Sequence, residues 1–423
     1  MITAKPGLLD EIRNRFAHVD ECPFTGPRVF FENAGGALHL NSVVETSGKF
    51  AAIPDNQGRD NPASKALMEI IATARDNMRV FFNAPADTVG GEVFVGESGT
   101  ELLFRLVRNA AAAAPKGGAV ISSTLEHPAS RSAMARWADV LGREHILVPH
   151  DDATGTVTAD DYRKFLTPDI RVATIIHTSP VTGMGVDVQS IAAAIREVSP
   201  DCFIIVDGIQ HACHGGIDIA ALGIDGYAVS PYKMFSRHGY GVAWASSRLT
   251  SAPRERLVGG PENAWELGTR DTGAYATFSD VIEYFDWLGS NFTESTDRRA
   301  RIEAAASAIH AHEKQLTDAA LHGTGNLRGL SEMPGIAILG GIDNPAREGL
   351  VSIVHDKLDS PEIVAALNER GIRTHTRKAD HYSGNVLTPL GLPNCVRISF
   401  CHYNSEAEIA RLLAAMEEIL AAA

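Results

Sequence analysis

One stretch of this 423-residue chain, residues 203–244, constrains the fold more than any other. It contains two short apolar runs, at 203–206 and 227–229, and a charged residue follows each run: Asp207 and Lys233. Short runs rich in β-branched and aromatic residues predict buried strands. A glycine-rich segment comes after Lys233, so we expect this lysine on a turn between elements and not on a solvated helix.

An acid at the end of one strand and a lysine after the next are the residues that pyridoxal phosphate chemistry requires. The lysine amine condenses with the aldehyde of the cofactor, and the acid keeps the pyridine nitrogen protonated. The ring can then accept an electron pair from an amino-acid substrate. An isolated aspartate and lysine would more often be a strand cap and a surface residue, so the surrounding motifs decide.

Those motifs are VDGIQ at 206–210 and SPYK at 230–233. Both resemble the corresponding motifs of the class V aminotransferase and cysteine desulfurase family. The order and spacing of further motifs are similar from about residue 30 to about residue 420. The resemblance implies an α/β chain with the type I fold of pyridoxal phosphate-dependent transferases. Its large domain has a mostly parallel sheet, and a smaller α+β domain lies at the C-terminus.

The resemblance also implies how the chain divides and assembles. It places the large pyridoxal phosphate-binding domain at 30–290 and forms the small domain from 1–29 and 291–423. We expect one long helical stretch, at 274–320, to join the two domains. The family is further expected to form a homodimer with both active sites at the subunit interface.

Composition agrees with a large enzyme and excludes several partners. Hydrophobic residues make up 44% and charged residues 21% of the chain, which fits more than one core. A formal charge of -14 argues against nucleic acid or an anionic membrane as partner. Residues 1–16 lack an apolar signal core, so we expect a cytoplasmic protein. The five cysteines have no metal-type spacing, and we expect no metal site.

The segment 93–106 predicts a binding site for the phosphate of the cofactor. An apolar strand is followed by a polar turn and then by a helical pattern. A helix start offers free N–H groups and the positive end of the helix dipole to an anion. Ordinary helix caps look the same, but this turn stands where the relatives carry their phosphate loop. We therefore expect three residues to bind the phosphate: Ser98, Gly99 and Thr100.

The resemblance assigns further residues around the cofactor. His127, in the E-H motif at 126–127, is expected to stack on the pyridine ring and to move protons. Thr269 is expected to reach the phosphate bound by the opposite subunit. The expected catalytic residues are Lys233, His127 and Asp207. The expected cofactor ligands are Ser98, Gly99, Thr100, His127, Asp207, Gln210, Ser230, Tyr232, Lys233 and Thr269.

A strand near the C-terminus carries the residue expected to hold the substrate. The segment around Arg397, followed by Tyr-Asn at 403–404, resembles the family strand whose arginine binds the α-carboxylate of the amino acid. A planar guanidinium group binds a carboxylate through two hydrogen bonds. We expect Gly35 and Gly36 to leave room for the substrate and His375 to contact it.

Two positions depart from the family pattern. Pro180 stands where relatives carry an asparagine that reaches the ring hydroxyl. That contact is lost, or one of three neighbours supplies it: Ser179, Thr182 or Gln210. The segment 371–382 contains no cysteine where desulfurases hold sulfur as a persulfide, and the aligned position falls near Asp380.

Three functions remain open from the sequence. The first is a desulfurase-like C–S lyase reaction by β-elimination, in which Lys233 moves the Cα proton and no persulfide forms. The second is a class V aminotransferase, epimerase or aldolase-type reaction on a carboxylated amino acid. The third is a non-catalytic protein of the same fold, which the presence of Lys233, Asp207 and His127 together disfavours.

Overall fold

A central sheet organises the larger part of the chain. In the computed structural model, which describes residues 2–260 and 265–422, seven strands form this large sheet. In chain order they are β1 (Glu92–Gly96), β2 (Ala119–Ser123), β3 (Glu144–Val148), β4 (Ile170–Ile176), β5 (Phe203–Asp207), β6 (Gly226–Val229) and β7 (Gly241–Ala245). Across the sheet the order is β1-β7-β6-β5-β4-β2-β3. Strand β7 is antiparallel to both of its neighbours and the other pairs are parallel, which confirms the expected mostly parallel sheet.

Helices cover both faces of this sheet. The helices that the structure describes are α1 (Leu8–Arg13), α2 (Asn41–Ala51), α3 (Pro62–Phe82), α4 (Gly99–Ala113), α5 (Pro128–Leu141), α6 (Ala159–Arg163), α7 (Val188–Val198), α8 (Ile219–Leu222), α9 (Ser247–Thr250), α10 (Thr272–Ser290), α11 (Arg298–His322), α12 (Ser360–Glu369), α13 (Gly384–Leu387) and α14 (Glu406–Ala421). None of these described helices is long and apolar enough to span a bilayer.

The central strands are apolar along their whole length because both faces of the sheet are buried. In β5, Ile205 faces the core that α4 and α5 build, while Ile204 and Val206 face the opposite core. Successive side chains of a strand point to opposite faces, so a strand between two helix layers needs apolar residues at every position. The sequence pattern at 203–206 reflects this environment.

The parallel strands place their following loops at one edge of the sheet. Strands β2, β4, β5 and β6 all end there, and β1 does too because β1 and β6 are both antiparallel to β7. In open α/β sheets, ligands bind at the carboxyl ends of the strands. This edge therefore brings together the segments that follow β1, β2, β4, β5 and β6.

A smaller antiparallel sheet lies in the C-terminal part of the chain. Its strands are β8 (Ile336–Ile338), β9 (Leu350–His355), β10 (His375–Lys378) and β11 (Asn394–Ser399), in the order β8-β9-β11-β10. Residues from α11, α12 and α14 form a separate core with it, and Val29 and Phe31 join that core from the N-terminal part. The pair Val29–Phe30 also runs parallel to Ile372–Arg373. The domain boundaries given above stay a prediction.

The prediction of a single long helix at 274–320 is wrong. The structure has two helices, α10 and α11, with a turn between them. The side chain of Asp297 accepts a hydrogen bond from the N–H of Ala300 (2.8 Å) and so caps the N-terminus of α11. Gly289 lies so close to Arg301 that an added Cβ would be 1.8 Å from the Arg301 carbonyl oxygen. The glycine therefore allows the two helices to cross closely.

Candidate active site

Lys233 lies on a single 3-10 turn, Pro231–Lys233, just after β6. Its side chain is buried, and the Nζ atom donates a hydrogen bond to Oε1 of Gln210 (3.1 Å). Burial is the largest cause that lowers the pKa of Lys233 to about 8, and the positive charge of Arg397 lowers it further. A lysine with this pKa is partly neutral near pH 7, so it can act as a nucleophile and as a base.

Asp207 is the last residue of β5 and is 2% exposed. Its Oδ1 accepts a hydrogen bond from the N–H of Ile209 (3.1 Å), and its Oδ2 accepts one from the Ser130 hydroxyl (3.5 Å). Burial raises the pKa of Asp207 to about 6, while the nearby charge of Lys233 opposes this rise. A buried carboxylate with so few donors is suited to a cationic partner such as a protonated ring nitrogen.

His127 caps a helix and also lies close to the catalytic lysine. It precedes α5, where its Nδ1 accepts a hydrogen bond from the N–H of Ala129 (3.2 Å) and caps the helix. An accepting Nδ1 places the proton of the neutral ring on Nε2. Burial lowers the pKa of His127 to about 3, and the charges of Lys233 and Arg377 lower it further. The imidazole is therefore neutral and lies within the electrostatic reach of Lys233.

The start of α4 forms a cradle for an anion. Ser98 caps this helix by accepting a hydrogen bond from the N–H of Glu101 (3.1 Å). The first N–H groups of a helix have no partner within the helix, and here Gly99 and Thr100 occupy these positions. A Cβ on Gly99 would lie 2.3 Å from the hydroxyl oxygen of Ser230. Only glycine fits there, and the Ser230 hydroxyl joins the free N–H groups of the helix start.

Arg397 occupies the opposite end of the site, on β11. It is 2% exposed; one Nη1 hydrogen bond goes to the Pro180 carbonyl oxygen (3.0 Å), and the buried Nε has no hydrogen-bond partner. An added Cβ on Gly35 would be 3.5 Å from Nη2 of Arg397, and one on Gly36 would be 3.4 Å from the Tyr232 ring. The structure thus brings both glycines to the expected substrate end. An incompletely bonded, buried guanidinium group is suited to a carboxylate ligand.

The two other predicted residues lie at the margins of the site. His375 stands directly opposite Arg397 in the small sheet, and its Nδ1 is 3.3 Å from Oε1 of Glu32. Thr269 is exposed and lines a cavity of about 380 Å³ together with Gly96 and Glu97. Its contact with a second subunit stays a prediction.

The structure distinguishes the three residues considered as substitutes for the family asparagine at Pro180. The Ser179 hydroxyl oxygen accepts hydrogen bonds from two N–H groups of its own loop, at 3.3 and 3.2 Å. The Thr182 hydroxyl donates to the Gly155 carbonyl oxygen (2.9 Å). Gln210, in contrast, contacts Lys233 and is the one of the three at the centre of the site.

The sequence did not reveal a buried hydrogen-bond chain behind Gln210. The Nε2 of Gln210 is 3.2 Å from Nε2 of His214, and Nδ1 of His214 is 2.7 Å from Oε2 of Glu313 on α11. The chain therefore links Lys233 to Glu313. His214 stands four residues after Gln210, but nothing in the sequence pairs it with a glutamate 99 residues away.

The fold and these residues define an enzyme that depends on pyridoxal phosphate. The anion cradle fits the phosphate, the buried Asp207 fits the ring nitrogen, and Lys233 fits the aldehyde. The residues present thus match the three functional groups of the cofactor.

The chain belongs to the aminotransferase class V family, because residues 29–412 match the model of that family. A probable cysteine desulfurase of Vibrio cholerae is 24% identical over 426 residues, which cover 97% of this chain and 98% of that protein. The apo structure of a cysteine desulfurase from Thermococcus onnurineus NA1 has a TM-score of 0.82 at 19% identity and covers 98% of both chains. A C-DES mutant with glycine covalently linked to its PLP cofactor has a TM-score of 0.73 at 19% identity, covering 95% of this chain and 98% of that chain.

Proposed function

We propose that this enzyme is a C–S lyase that cleaves the bond between Cβ and sulfur of an amino-acid substrate by β-elimination, without forming a persulfide. The observation that carries this proposal is the segment 371–382. It provides part of the wall of the site through β10, yet it contains no thiol. The turn after β10 carries Asp380 near the position where a desulfurase needs a nucleophilic cysteine.

Two cysteines of the C-terminal part are poor replacements. Cys395 and Cys401 are fully buried, and burial is the main cause that raises the pKa of both thiols, to about 11 for Cys395. Sulfur chemistry needs the thiolate, which such environments disfavour. Cys22 is different, because it is half-buried and its hydrogen bond with Thr25 is the main cause that lowers its pKa to about 7. A test of the persulfide must therefore include Cys22.

The positions of the side chains support this reaction. When bound, pyridoxal phosphate accepts the electron pair that remains at Cα after the proton has left. Arg397 holds the α-carboxylate, and neutral Lys233 removes the Cα proton. The sulfur group then leaves Cβ with the bonding electron pair, and a proton neutralises it. Protonated Lys233 can return to this sulfur the proton that it took from Cα, and the Nε2–H of neutral His127 can donate a hydrogen bond to the departing sulfur. Hydrolysis of the 2-aminoacrylate that remains yields pyruvate and ammonia.

We also propose that the enzyme acts as a homodimer in the cytoplasm. Large apolar side chains are exposed near Thr269 in the sequence, at Leu257, Val258 and Leu267, and such side chains often mark interfaces. All five cysteines are free thiols, which supports a reducing compartment.

The proposed reaction is tested with holoenzyme and a panel of L-cysteine, L-cystine, L-alanine and a β-hydroxy amino acid. We expect sulfide and pyruvate from cysteine in equal amounts, and no keto acid from alanine. A variant with Cys22→Ser, Cys395→Ser and Cys401→Ser should keep most of this activity. An inactive triple variant, with a persulfide trapped on the parent enzyme, would identify a desulfurase instead.

A further inference from the structure

A second arginine, Arg377, shares the substrate end of the site with Arg397. In the small sheet His375 is opposite Arg397, and Arg377 is opposite Cys395. Opposite residues of antiparallel strands share a face, and so do residues two apart on one strand. Both arginines therefore lie on the same face of the sheet, at diagonal positions whose side chains are neighbours.

The electrostatic effects of Arg377 place it beside the catalytic residues. After burial, which is the largest cause, the positive charges of Arg397 and Arg377 lower the pKa of Lys233. Arg377 likewise contributes to the lowered pKa of His127 and of Arg397. Three positively charged side chains thus face the same space from two domains.

Neither guanidinium group has a carboxylate partner. Within the described parts of the chain, no Asp or Glu oxygen lies within ion-pair distance of Arg377 or Arg397. The Nε of Arg377 donates to the Ser383 hydroxyl (2.8 Å), and its guanidinium carbon lies 5.8 Å from the centre of the Tyr382 ring. Burial lowers the pKa of both arginines, and the more distant charges of Asp380, at Arg377, and of Glu32, at Arg397, oppose this lowering. Glu32 is already paired with Arg373 (3.1 Å) and His375 (3.3 Å).

Buried or half-buried cations are normally paired with anions, because an unpaired charge loses its hydration without compensation. The α-carboxylate of the substrate supplies one anion, and Arg397 is positioned to receive it. Arg377 has no carboxylate in direct contact within the described residues, so a second anion can bind there. The diagonal spacing of the two strand positions, roughly 7–8 Å, matches a short molecule with one anionic group at each end.

We propose that Arg377 binds an anionic group on the side chain of the substrate, so that the enzyme binds α-amino acids with a short acidic side chain more tightly than their neutral analogues. The proposal rests on the assignment of this site to an amino-acid substrate held by Arg397. It does not depend on which bond is then cleaved. Recognition comes from the guanidinium group, whose planar set of donors binds a carboxylate or a sulfur oxyanion through two hydrogen bonds.

The test compares L-aspartate with L-asparagine, two ligands of equal size that differ in the charge of the side chain. Each is titrated into the holoenzyme, and the change in the visible absorption of the cofactor reports binding without turnover. We expect L-aspartate to bind at least about tenfold more tightly, as one charge-assisted pair implies. Arg377→Gln should bring the ratio of the two affinities close to one and leave the affinity for asparagine nearly unchanged.

Two further variants make this result specific. Lys378→Gln removes the same charge from the neighbouring, exposed position of β10 and should keep the preference for aspartate. Arg377→Lys keeps the charge but not the paired donors, so it should retain part of the preference. Thermal melting of each variant checks that it is folded. L-Cysteate carries a sulfonate in place of the side-chain carboxylate of aspartate. If cysteate binds more tightly than aspartate, the preferred substrate carries a sulfur oxyanion; if it binds more weakly, the preferred substrate carries a carboxylate.

Equal binding of aspartate and asparagine to the parent enzyme, or an unchanged preference in Arg377→Gln, would overturn the proposal. These outcomes are separate from those of the lyase assay. If the enzyme releases sulfide and pyruvate but binds aspartate and asparagine equally well, only the proposed role of Arg377 is contradicted. An enzyme that prefers aspartate but releases no sulfide contradicts only the lyase assignment.

Discussion

Single residues of the site owe their chemical properties mainly to burial. Desolvation disfavours the charged form of any ionisable group, so it lowers the pKa of Lys233 to about 8 and raises that of Asp207 to about 6. The two values therefore approach each other from opposite directions. Both groups remain mostly charged near pH 7, but a modest change in their surroundings is enough for either to gain or lose a proton.

A first prediction concerns the rate at which the apoprotein captures pyridoxal phosphate. Only the neutral amine of Lys233 attacks the aldehyde, so the rate should rise with pH through a midpoint near pH 8. A solvated lysine would give a midpoint at about pH 10.4. The visible absorption that develops on mixing measures the rate over a pH series. After borohydride reduction the parent protein should carry the cofactor covalently, and Lys233→Ala should not. A midpoint above pH 10 would refute the effect of burial on the pKa of Lys233.

A second prediction concerns Asp207→Asn. Asparagine cannot supply the negative charge that stabilises a protonated ring nitrogen, so the electron sink becomes weaker. We expect turnover to fall by about 10²- to 10³-fold, which is typical of removing one preorganised electrostatic contact. Steady-state kinetics on the substrate identified by the product assay measure the loss. Near-normal turnover would mean that Asp207 has only a structural role at the end of β5.

At the scale of elements, the sequence was sufficient to predict which segments meet. Residues that follow parallel strands must lie at one edge of the sheet, so the apolar runs before Ser98, Asp207 and Lys233 already implied their proximity. The chemistry of Asp and Lys then indicated the cofactor. This inference needs only strand positions and directions, which short apolar runs reveal well.

Contacts between elements that are distant in the sequence could not be predicted. The pairing of β10 with β11, which aligns Arg377 and Arg397 on one face, depends on a register that hydrophobic patterns leave open. The contact of His214 with Glu313 depends on how α11 packs. The break between α10 and α11 is different, because its signal was present: the polar run before Asp297 predicts a helix start.

A third prediction concerns the loop between β2 and α5. Glu126 is completely buried; its Oε1 accepts a hydrogen bond from the N–H of Ile176 (2.8 Å), and its Oε2 has no partner. Burial, with the charge of Asp207, raises the pKa of Glu126 from 4.5 to about 8. The folded protein keeps this carboxyl group protonated where the unfolded chain ionises. Its stabilising effect is complete below about pH 4.5 and is lost as pH rises to about 8.

Glu126→Gln removes this titration while keeping the shape of the side chain. Between about pH 5 and about pH 8, the parent apoprotein should lose stability relative to the variant by up to about 1.4 kcal/mol for each pH unit. Denaturant unfolding at a series of pH values measures the difference. Glu69→Gln, at an exposed position of α3, is the matched control and should run parallel to the parent. If the difference in the free energy of unfolding between Glu126→Gln and the parent does not change with pH, Glu126 is not protonated in the folded protein.

At the scale of the whole molecule, the small sheet completes the site that the large sheet begins. Arg397 donates to the carbonyl of Pro180, and the Ser352 hydroxyl donates to the carbonyl of Val181 (2.6 Å). Arg347 donates to the carbonyl of Thr182 (3.2 Å). The loop after β4 is thus held by buried donors from the C-terminal part, so the position of the substrate arginine depends on the contact between the two parts.

The last prediction concerns assembly. Thr269 lines a cavity with Gly96 and Glu97 of its own chain, close to the helix start that forms the anion cradle. The same exposed threonine would serve a partner's cradle in the proposed homodimer. Thr269→Val should weaken pyridoxal phosphate binding several-fold, because one hydroxyl donor to the phosphate is lost.

Hybrid dimers show whether Thr269 contacts the cofactor of its own subunit or that of the partner subunit. In a dimer of one Lys233→Ala subunit and one Thr269→Val subunit, the intact lysine belongs to the subunit that lacks the threonine. If Thr269 acts across the interface, the partner subunit supplies an intact threonine to that lysine, and this site should bind pyridoxal phosphate as tightly as the parent enzyme. If Thr269 acts within its own chain, the affinity should equal that of the Thr269→Val homodimer. Titrating tag-purified hybrids with the cofactor measures which value holds, and the lower affinity would contradict a shared site.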